Sequence, residues 1–270
     1  MPNKKSIPSS FDVIGSKEKA VAIIEVPDEK KDRGKEVAEA ILEQNKNVKS
    51  VLRKMSSREG EYRTRKYELL AGDKNTEVLH KEYGYIIKID PQRAYFSQRE
   101  STERQRIAAQ VKPKEVVMVM FSGVAPIAVA IGKRQPEVER VIAVEINPDA
   151  ARYADENIRI NKLGHKIISM PQDVRLGCVK WYGRCDRVVM PLPMAAESFL
   201  DIAVNCLKQD GGTVHFYNWG KEPEPFGKAE GVIKTEMRRM KRKYEIINRK
   251  RVLPYAPGKW KVCIDFRVKK

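Results

Sequence analysis

The chain holds 270 residues, 41% of them hydrophobic and 33% charged, with 53 Lys and Arg against 36 Asp and Glu. That is apolar material for one large core or two modest ones, and no uncharged apolar run reaches the length of a membrane-spanning helix. The formal net charge of +17 suits a polyanionic partner, since each phosphate neutralised by Lys or Arg releases condensed counterions. A Lys- and Glu-rich solvated surface would account for the charge density but not for its imbalance. RNA and DNA are not distinguished at this level. The first residues, MPNKKSIPSSFDVIG, lack the apolar segment of a signal peptide, so a cytoplasmic protein is expected. Cys178, Cys185, Cys206 and Cys263 show no C-x-x-C spacing, which predicts buried free thiols and no zinc site.

In chain order, VAIIEV (Val21 to Val26) predicts a strand closed by Pro27-Asp28. GKEVAEAILEQN predicts a helix with Val37, Ile41 and Leu42 on one face. Beyond VKSVLRKM lies a strand-rich stretch, GEYRTRKYELLAGDKNTEVLHKEYGYIIKID. Its Gly72-Asp73 pair and Gly84 mark bends, suggesting a small α+β module of antiparallel strands over residues 1–90.

Over residues 91–270 strands and helices alternate. STERQRIAAQV predicts a helix with Ser101 as N-cap and Arg104 and Arg106 exposed. VVMVMF, VIAVEIN, IISMPQD, DRVVMPLP and TVHFYNW predict strands, with helices in PIAVAIGKR, PDAARYADENIRINK and AAESFLDIAVNCLKQDGG. KYEIINRKRVLPYAPGKWKVCIDFRV closes the chain as a hairpin. The run Arg238, Arg239, Lys241, Arg242, Lys243 is expected as a charged helix face, either solvated or following a nucleic-acid backbone. Such alternation implies right-handed crossovers and a mostly parallel, doubly wound α/β sheet with an antiparallel edge.

Ligands of such sheets sit at the carboxyl ends of the strands. Glu145 ends one strand about 20 residues beyond the first loop, the spacing at which an acid accepts from a ribose diol. Asp173 stands where a carboxylate accepts from an adenine amino group, although Asp is also a common helix cap. The first loop, FSGVAP, has one glycine and a proline without an N–H, which disfavours a pyrophosphate. A cofactor with ribose and adenine but no phosphate fits better, and S-adenosylmethionine is one.

GEYRTRKYELLAG, YFSQRESTERQRIA, MFSGVAPIAVAI, AVEINPDAARYADENIRIN, QDVR, DRVVMPLPMAAESFL, GGTVHFYNWG and the Tyr255-Ala256-Pro257 turn together resemble one family. It is the archaeal and eukaryotic tRNA (guanine-37-N1)-methyltransferases, with the wybutosine-pathway aminocarboxypropyl transferases as relatives. The resemblance runs over almost the whole chain. It implies a small α+β RNA-recognition domain over residues 1–90 and a Rossmann-like class I methyltransferase domain over residues 91–270. It implies S-adenosylmethionine as cofactor and a tRNA anticodon stem-loop as partner, and the family's additional N-terminal domain is expected to be missing. A monomer is expected.

By the same resemblance Glu103 is the general base, Arg63 the substrate-side arginine and Tyr95 an active-site aromatic residue. Cofactor contacts are implied for Arg104, Phe121, Glu145, Ile146, Asp173, Val174, Pro191 and Pro193. Three positions depart from the family: Val119 replaces an acid, Ala125 a loop glycine, and Pro191 the asparagine of Asn-Leu-Pro. Chemically, N1 methylation of guanine needs a base for the ring proton. It also needs a donor for charge developing on O6 and an aromatic face, from Tyr95 or Phe96, for an unstacked base. Two other readings stand beside this one. One is a wybutosine-pathway transferase, adding an aminocarboxypropyl group or methylating a tricyclic guanosine; the other is a catalytically silent tRNA binder. His80, His165 and His215 stand isolated in the sequence and are given no chemistry.

Overall fold

The computed structural model describes residues 11–26, 31–56, 60, 62 and 65–270. The chain divides into two compact units, Met1–Gln98 and Arg99–Lys270.

In the N-terminal unit, β1 (Asp12–Gly15), β2 (Ala20–Ile24), β3 (Val48–Lys54) and β4 (Tyr67–Gly72) form one sheet in that order. The expected antiparallel strands are present in the outer pairs, but β2 and β3 run parallel. The 14-residue helix α1 (Lys31–Gln44) carries the chain back between them, as a parallel pair requires. Val37 and Ile41 of α1 bury against Ala22, Ile24 and Val51. The expected stop at Pro27-Asp28 lies outside the described residues. β5 (Val78–Glu82) and β6 (Tyr85–Ile89) make a separate hairpin. Its turn residues, Tyr83 and Gly84, both have positive φ (44° and 81°), as a two-residue turn matched to strand twist demands.

The C-terminal unit opens with α2 (Ser101–Ala108). The strands that follow are β7 (Val116–Val119), β8 (Arg140–Glu145), β9 (Ile167–Pro171), β10 (Arg187–Met190), β11 (Gly211–Lys221), β12 (Lys243–Ala256) and β13 (Lys259–Lys269). They form one sheet ordered β12-β13-β11-β10-β7-β8-β9. The five strands from β11 to β9 are parallel, and β13 and β12 add an antiparallel hairpin at the edge. The parallel strands read as unbroken apolar runs because helices cover both their faces. Those helices are α3 (Pro126–Arg134), α4 (Pro148–Ile160), α5 (Val174–Gly177), α6 (Leu200–Cys206) and α7 (Gly227–Arg239). Met118, Ile142, Val188, Val214 and Phe266 lie at the centre of one core. Strand order reverses between β7 and β10, and the carboxyl ends at such a switch point are where open α/β sheets bind ligands.

Several local expectations change. Ser101 is the first helical residue, while the N-cap is Glu100 and its side chain makes no cap hydrogen bond. Arg104 is buried (3% exposed), and the Arg106 side chain is 19% exposed, where both were expected at the surface. The basic run is not one helix face: α7 ends at Arg239, Lys241 turns the chain with φ of 53°, and β12 starts at Lys243. All four cysteines are buried and free.

Phe266 is fully buried and Leu79 is 44% exposed. Denaturant titration should therefore find Phe266→Ala destabilised by about 3–5 kcal/mol and Leu79→Ala changed by less than about 0.5 kcal/mol; equal losses would contradict this core.

Candidate active site at the carboxyl edge of the sheet

Glu145 is the last residue of β8. Its Oε2 accepts from the Gly123 N–H at 2.7 Å and its Oε1 from the Asn147 N–H at 2.9 Å. Burial pushes this carboxyl up from its ordinary value, against the pull of the backbone amides of Asn147, Gly123 and Ile146. A carboxylate has about four acceptor positions, so one remains beyond these three amides. The loop it holds is strained: Phe121, Gly123 and Ala125 have φ of 51°, 55° and 61°. For Phe121 and Ala125 this costs roughly 1–2 kcal/mol each. The restraints are the Glu145 bond to Gly123, the Asn157 Nδ2 donating to the Val124 carbonyl at 3.0 Å, and the Ala125 N–H donating to Ser122 O at 3.0 Å. Ala125 thus holds the left-handed backbone that a glycine would give freely. Val119, one of the positions noted above as departing from the family, is fully buried.

The Ser122 hydroxyl is buried with no hydrogen-bond partner among the described residues. The ring of Phe121 meets Phe199 edge-on at 5.1 Å, and the Arg175 guanidinium lies 4.3 Å above Phe199. Asp173 caps α5, accepting from the Arg175 N–H at 2.6 Å. Val174 is buried, whereas Ile146, Pro191 and Pro193 are partly exposed beside the strand ends.

A second group of side chains lies between α2 and the sheet. Glu100, Glu103, Arg106 and Gln110 recur at helical spacing and so share one face. Opposite them, the paired strands β11 and β13 present Tyr217 beside Cys263 and His215 beside Asp265. Tyr217 follows Phe216, the register partner of the last β10 residue, Met190, which puts it at the carboxyl edge. Glu103 is 7% exposed. Its Oε1 accepts from the Tyr217 hydroxyl at 2.5 Å and from Arg106 Nη2 at 2.8 Å, and its Oε2 accepts from Arg106 Nε at 2.7 Å. The other side of the same guanidinium donates to Asp265, Nη1 to Oδ2 at 2.5 Å and Nη2 to Oδ1 at 3.2 Å. Lys261 Nζ reaches Glu100 at 2.8 Å and lies 5.1 Å over the Tyr217 ring.

The protonation states follow from the partners. Arg187 has only donors, so His215 Nε2, 2.8 Å from Arg187 Nη1, accepts. The proton of His215 is therefore on Nδ1, which donates to Asp265 Oδ1 at 2.7 Å. Burial, joined by the Arg187 and Arg106 charges, lowers the His215 pKa and keeps the ring neutral. Burial works to raise the Asp265 carboxyl, but the hydrogen bonds from His215 and Arg106, with the Arg106 charge, outweigh it and hold it below the ordinary 3.8. Burial raises the Tyr217 hydroxyl and the Cys263 thiol well above their usual values, so both stay protonated. His215, Cys263 and Asp265 bring three candidate metal-ligand atoms within 4.8 Å of one another. Two guanidiniums, a thiol and an Nδ1–H already satisfy that space, which makes it an ion-pair junction.

Of the remaining expected residues, Arg63 lies outside the described residues. Tyr95, 37% exposed, lines a cavity of about 70 Å³ in the N-terminal unit with Lys54, Arg65 and Tyr67. Phe96 is buried edge-on against His80 at 5.1 Å, so it is core and no stacking face. His215, read as isolated, sits inside the junction. Arg106, Tyr217 and Asp265 were missed as site residues; the readable signal was an acid set among the apolar residues of VCIDF, where an unpaired charge is costly.

Residues 78–247 match the model of the TRM5/TYW2 methyltransferase domain. The chain belongs to this family. Residues 1–76 match the model of the TYW2 N-terminal domain. The Pyrococcus abyssi tRNA (guanine(37)-N(1))-methyltransferase Trm5b is 40% identical over 265 residues, covering 98% of this chain and 76% of that relative. The Methanocaldococcus jannaschii tRNA(Phe) (4-demethylwyosine(37)-C(7)) aminocarboxypropyltransferase is 32% identical, covering 87% of this chain and 92% of that relative. The crystal structure of P. horikoshii TYW2 in complex with MeSAdo superimposes with a TM-score of 0.83 at 28% identity, covering 98% of this chain and 93% of that one.

Because Asp265 is held below 3.8, its contribution to stability is present above that pH and is lost as acid protonates it. Asp265→Asn should be less stable by about 3 kcal/mol at neutral pH, as removal of one partner of a buried pair predicts. The gap to the wild type should narrow below about pH 4; an equal gap at pH 7 and at pH 3 in urea titrations would contradict the assignment.

Proposed function

We propose that the chain transfers a methyl group from S-adenosylmethionine to N1 of guanosine 37 in tRNA, with Glu103 as the general base. The observation that carries this reading is a buried carboxylate, Glu103, beside Tyr217 at the same sheet edge where Glu145 holds the first loop. The residues fit the cofactor: Glu145 keeps an acceptor position for a ribose hydroxyl, Asp173 offers one to an adenine amino group, and the Ser122 hydroxyl, buried with no partner among the described residues, calls for a polar neighbour. Phe121, Ile146, Val174, Pro191 and Pro193 supply the apolar and backbone lining, and Arg104 is a further proposed contact. Bound there, S-adenosylmethionine supplies an electrophilic methyl group.

Glu103 accepts the N1 proton of guanine at the position left on Oε2, which frees the N1 electron pair to form the new bond. Arg63 is the proposed donor to the negative charge that moves onto O6. Tyr95 is the proposed stacking face for the unstacked base. The net charge of +17 and the exposed Lys243, Arg249, Lys250 and Arg251 of β12 suit the phosphates of an anticodon stem-loop. A second reading, wybutosine-pathway transfer to a modified guanosine from the same cofactor, is favoured by the match of residues 1–76 to the TYW2 N-terminal domain and by Pro191.

Mass spectrometry of nucleosides, after incubation with an unmodified tRNA transcript and S-adenosylmethionine, tests the choice. A guanosine gaining one methyl group is expected; an aminocarboxypropyl gain, or none, would overturn it. Glu103→Gln should lower kcat by about 10²- to 10⁴-fold with unchanged cofactor affinity, and an unchanged kcat would remove the base assignment. Glu145→Ala should weaken cofactor binding in calorimetry by about tenfold to a hundredfold, the worth of one hydrogen bond to a charged group; unchanged affinity would remove Glu145 as a cofactor contact.

A further inference from the structure

Glu103 is not a carboxylate on a loose stem. A carboxylate has about four acceptor positions, and Tyr217, Arg106 Nη2 and Arg106 Nε occupy three of them. The guanidinium that takes two is itself fixed, because its other edge engages Asp265. Behind Asp265 stands His215, and behind His215 stands Arg187, which pairs with Glu115 through Nε at 2.8 Å and Nη2 at 3.0 Å. Gln110 adds a bond from Nε2 to Asp265 at 3.3 Å, and its own carbonyl accepts from Arg187 at 2.8 Å. Arg106 cannot swing without breaking charge-assisted bonds to partners that are themselves buried.

We propose that Arg106 and Tyr217 are positioning residues for methyl transfer. The Arg106 fork, braced by Asp265, and the Tyr217 hydroxyl hold Glu103 so that the Oε2 position they leave receives the guanine N1–H. This rests on the reading of Glu103 as base. Only arginine has the rigid planar fork that grips two carboxylates at once; lysine keeps the charge but offers a compact, rotatable ammonium. A misplacement of about 1 Å in a reacting group costs about a hundredfold in rate, so loss of the fork at constant charge should appear in kcat.

Single-turnover methyl transfer to the tRNA transcript, on the full chain, tests this with Arg106→Lys, Tyr217→Phe, Glu103→Gln and each of the first two combined with Glu103→Gln. Arg106→Lys is expected to slow transfer about tenfold to a hundredfold and Tyr217→Phe about tenfold, with cofactor affinity by calorimetry unchanged. If both act through Glu103, each double variant is no slower than Glu103→Gln alone. A double variant slowed by the full additional factor would overturn the proposal, since a merely structural role multiplies. Arg106→Lys at the wild-type rate beside a slow Glu103→Gln would overturn the positioning and leave the base. Glu103→Gln at the wild-type rate would overturn both. Should Arg106→Lys lose its circular dichroism or cofactor binding, Tyr217→Phe, which removes a single oxygen, decides in the same way.

Discussion

A guanidinium shared between two buried carboxylates ties α2 to the sheet. Glu103 and Asp265 come from opposite ends of the C-terminal unit, 7% and 1% exposed, and each would be costly to bury alone. Arg106 between them offsets that cost and fixes geometry at the same time. Such a junction is weak evidence for net stability, because desolvating its charges opposes their attraction. Its stronger consequence is specificity: α2 has one rotation and one register against β11 and β13 at which every group is matched. The orientation of Glu103 at the carboxyl edge follows from that match.

The loop after β7 is built by a different device. There the backbone is strained and a carboxylate restrains it. Phe121 and Ala125 occupy left-handed conformations that suit glycine, and Glu145 and Asn157 hold the loop from two neighbouring elements. Strain kept in place by its surroundings is common at ligand sites. Glu145 shapes the loop, and in the proposed function the same carboxylate receives a ribose hydroxyl. The partners of Glu103 and of Glu145 are separate sets, so the two proposed roles can be perturbed one at a time.

Much of this was readable in the sequence, for physical reasons. Parallel strands covered on both faces must be apolar throughout, so VVMVMF and DRVVMPLP announced themselves, and Glu145 stood out as an acid ending an apolar strand. The parallel β2–β3 pair was obscured because strand periodicity does not encode strand direction; the crossover helix α1 was the available clue. Arg106 was misread as exposed since STERQRIAAQ carries polar residues around most of its circumference, and its buried partner Asp265 lies 159 residues away. Ala125 stood out as a departure from the loop glycine of the family. Its conformation is imposed from Ser122, Asn157 and Glu145, which a local reading does not join.

The central claim is that the Glu103 carboxylate, gripped by Arg106 and Tyr217, faces the reacting nitrogen. A crystal structure of the full chain with an unreactive S-adenosylmethionine analogue and an anticodon stem-loop RNA measures this directly. The account predicts guanine N1 about 2.6–3.2 Å from Glu103 Oε2 with both Arg106 bonds intact. A guanine whose N1 faces another group, with Glu103 closed off between Tyr217 and Arg106, would contradict it.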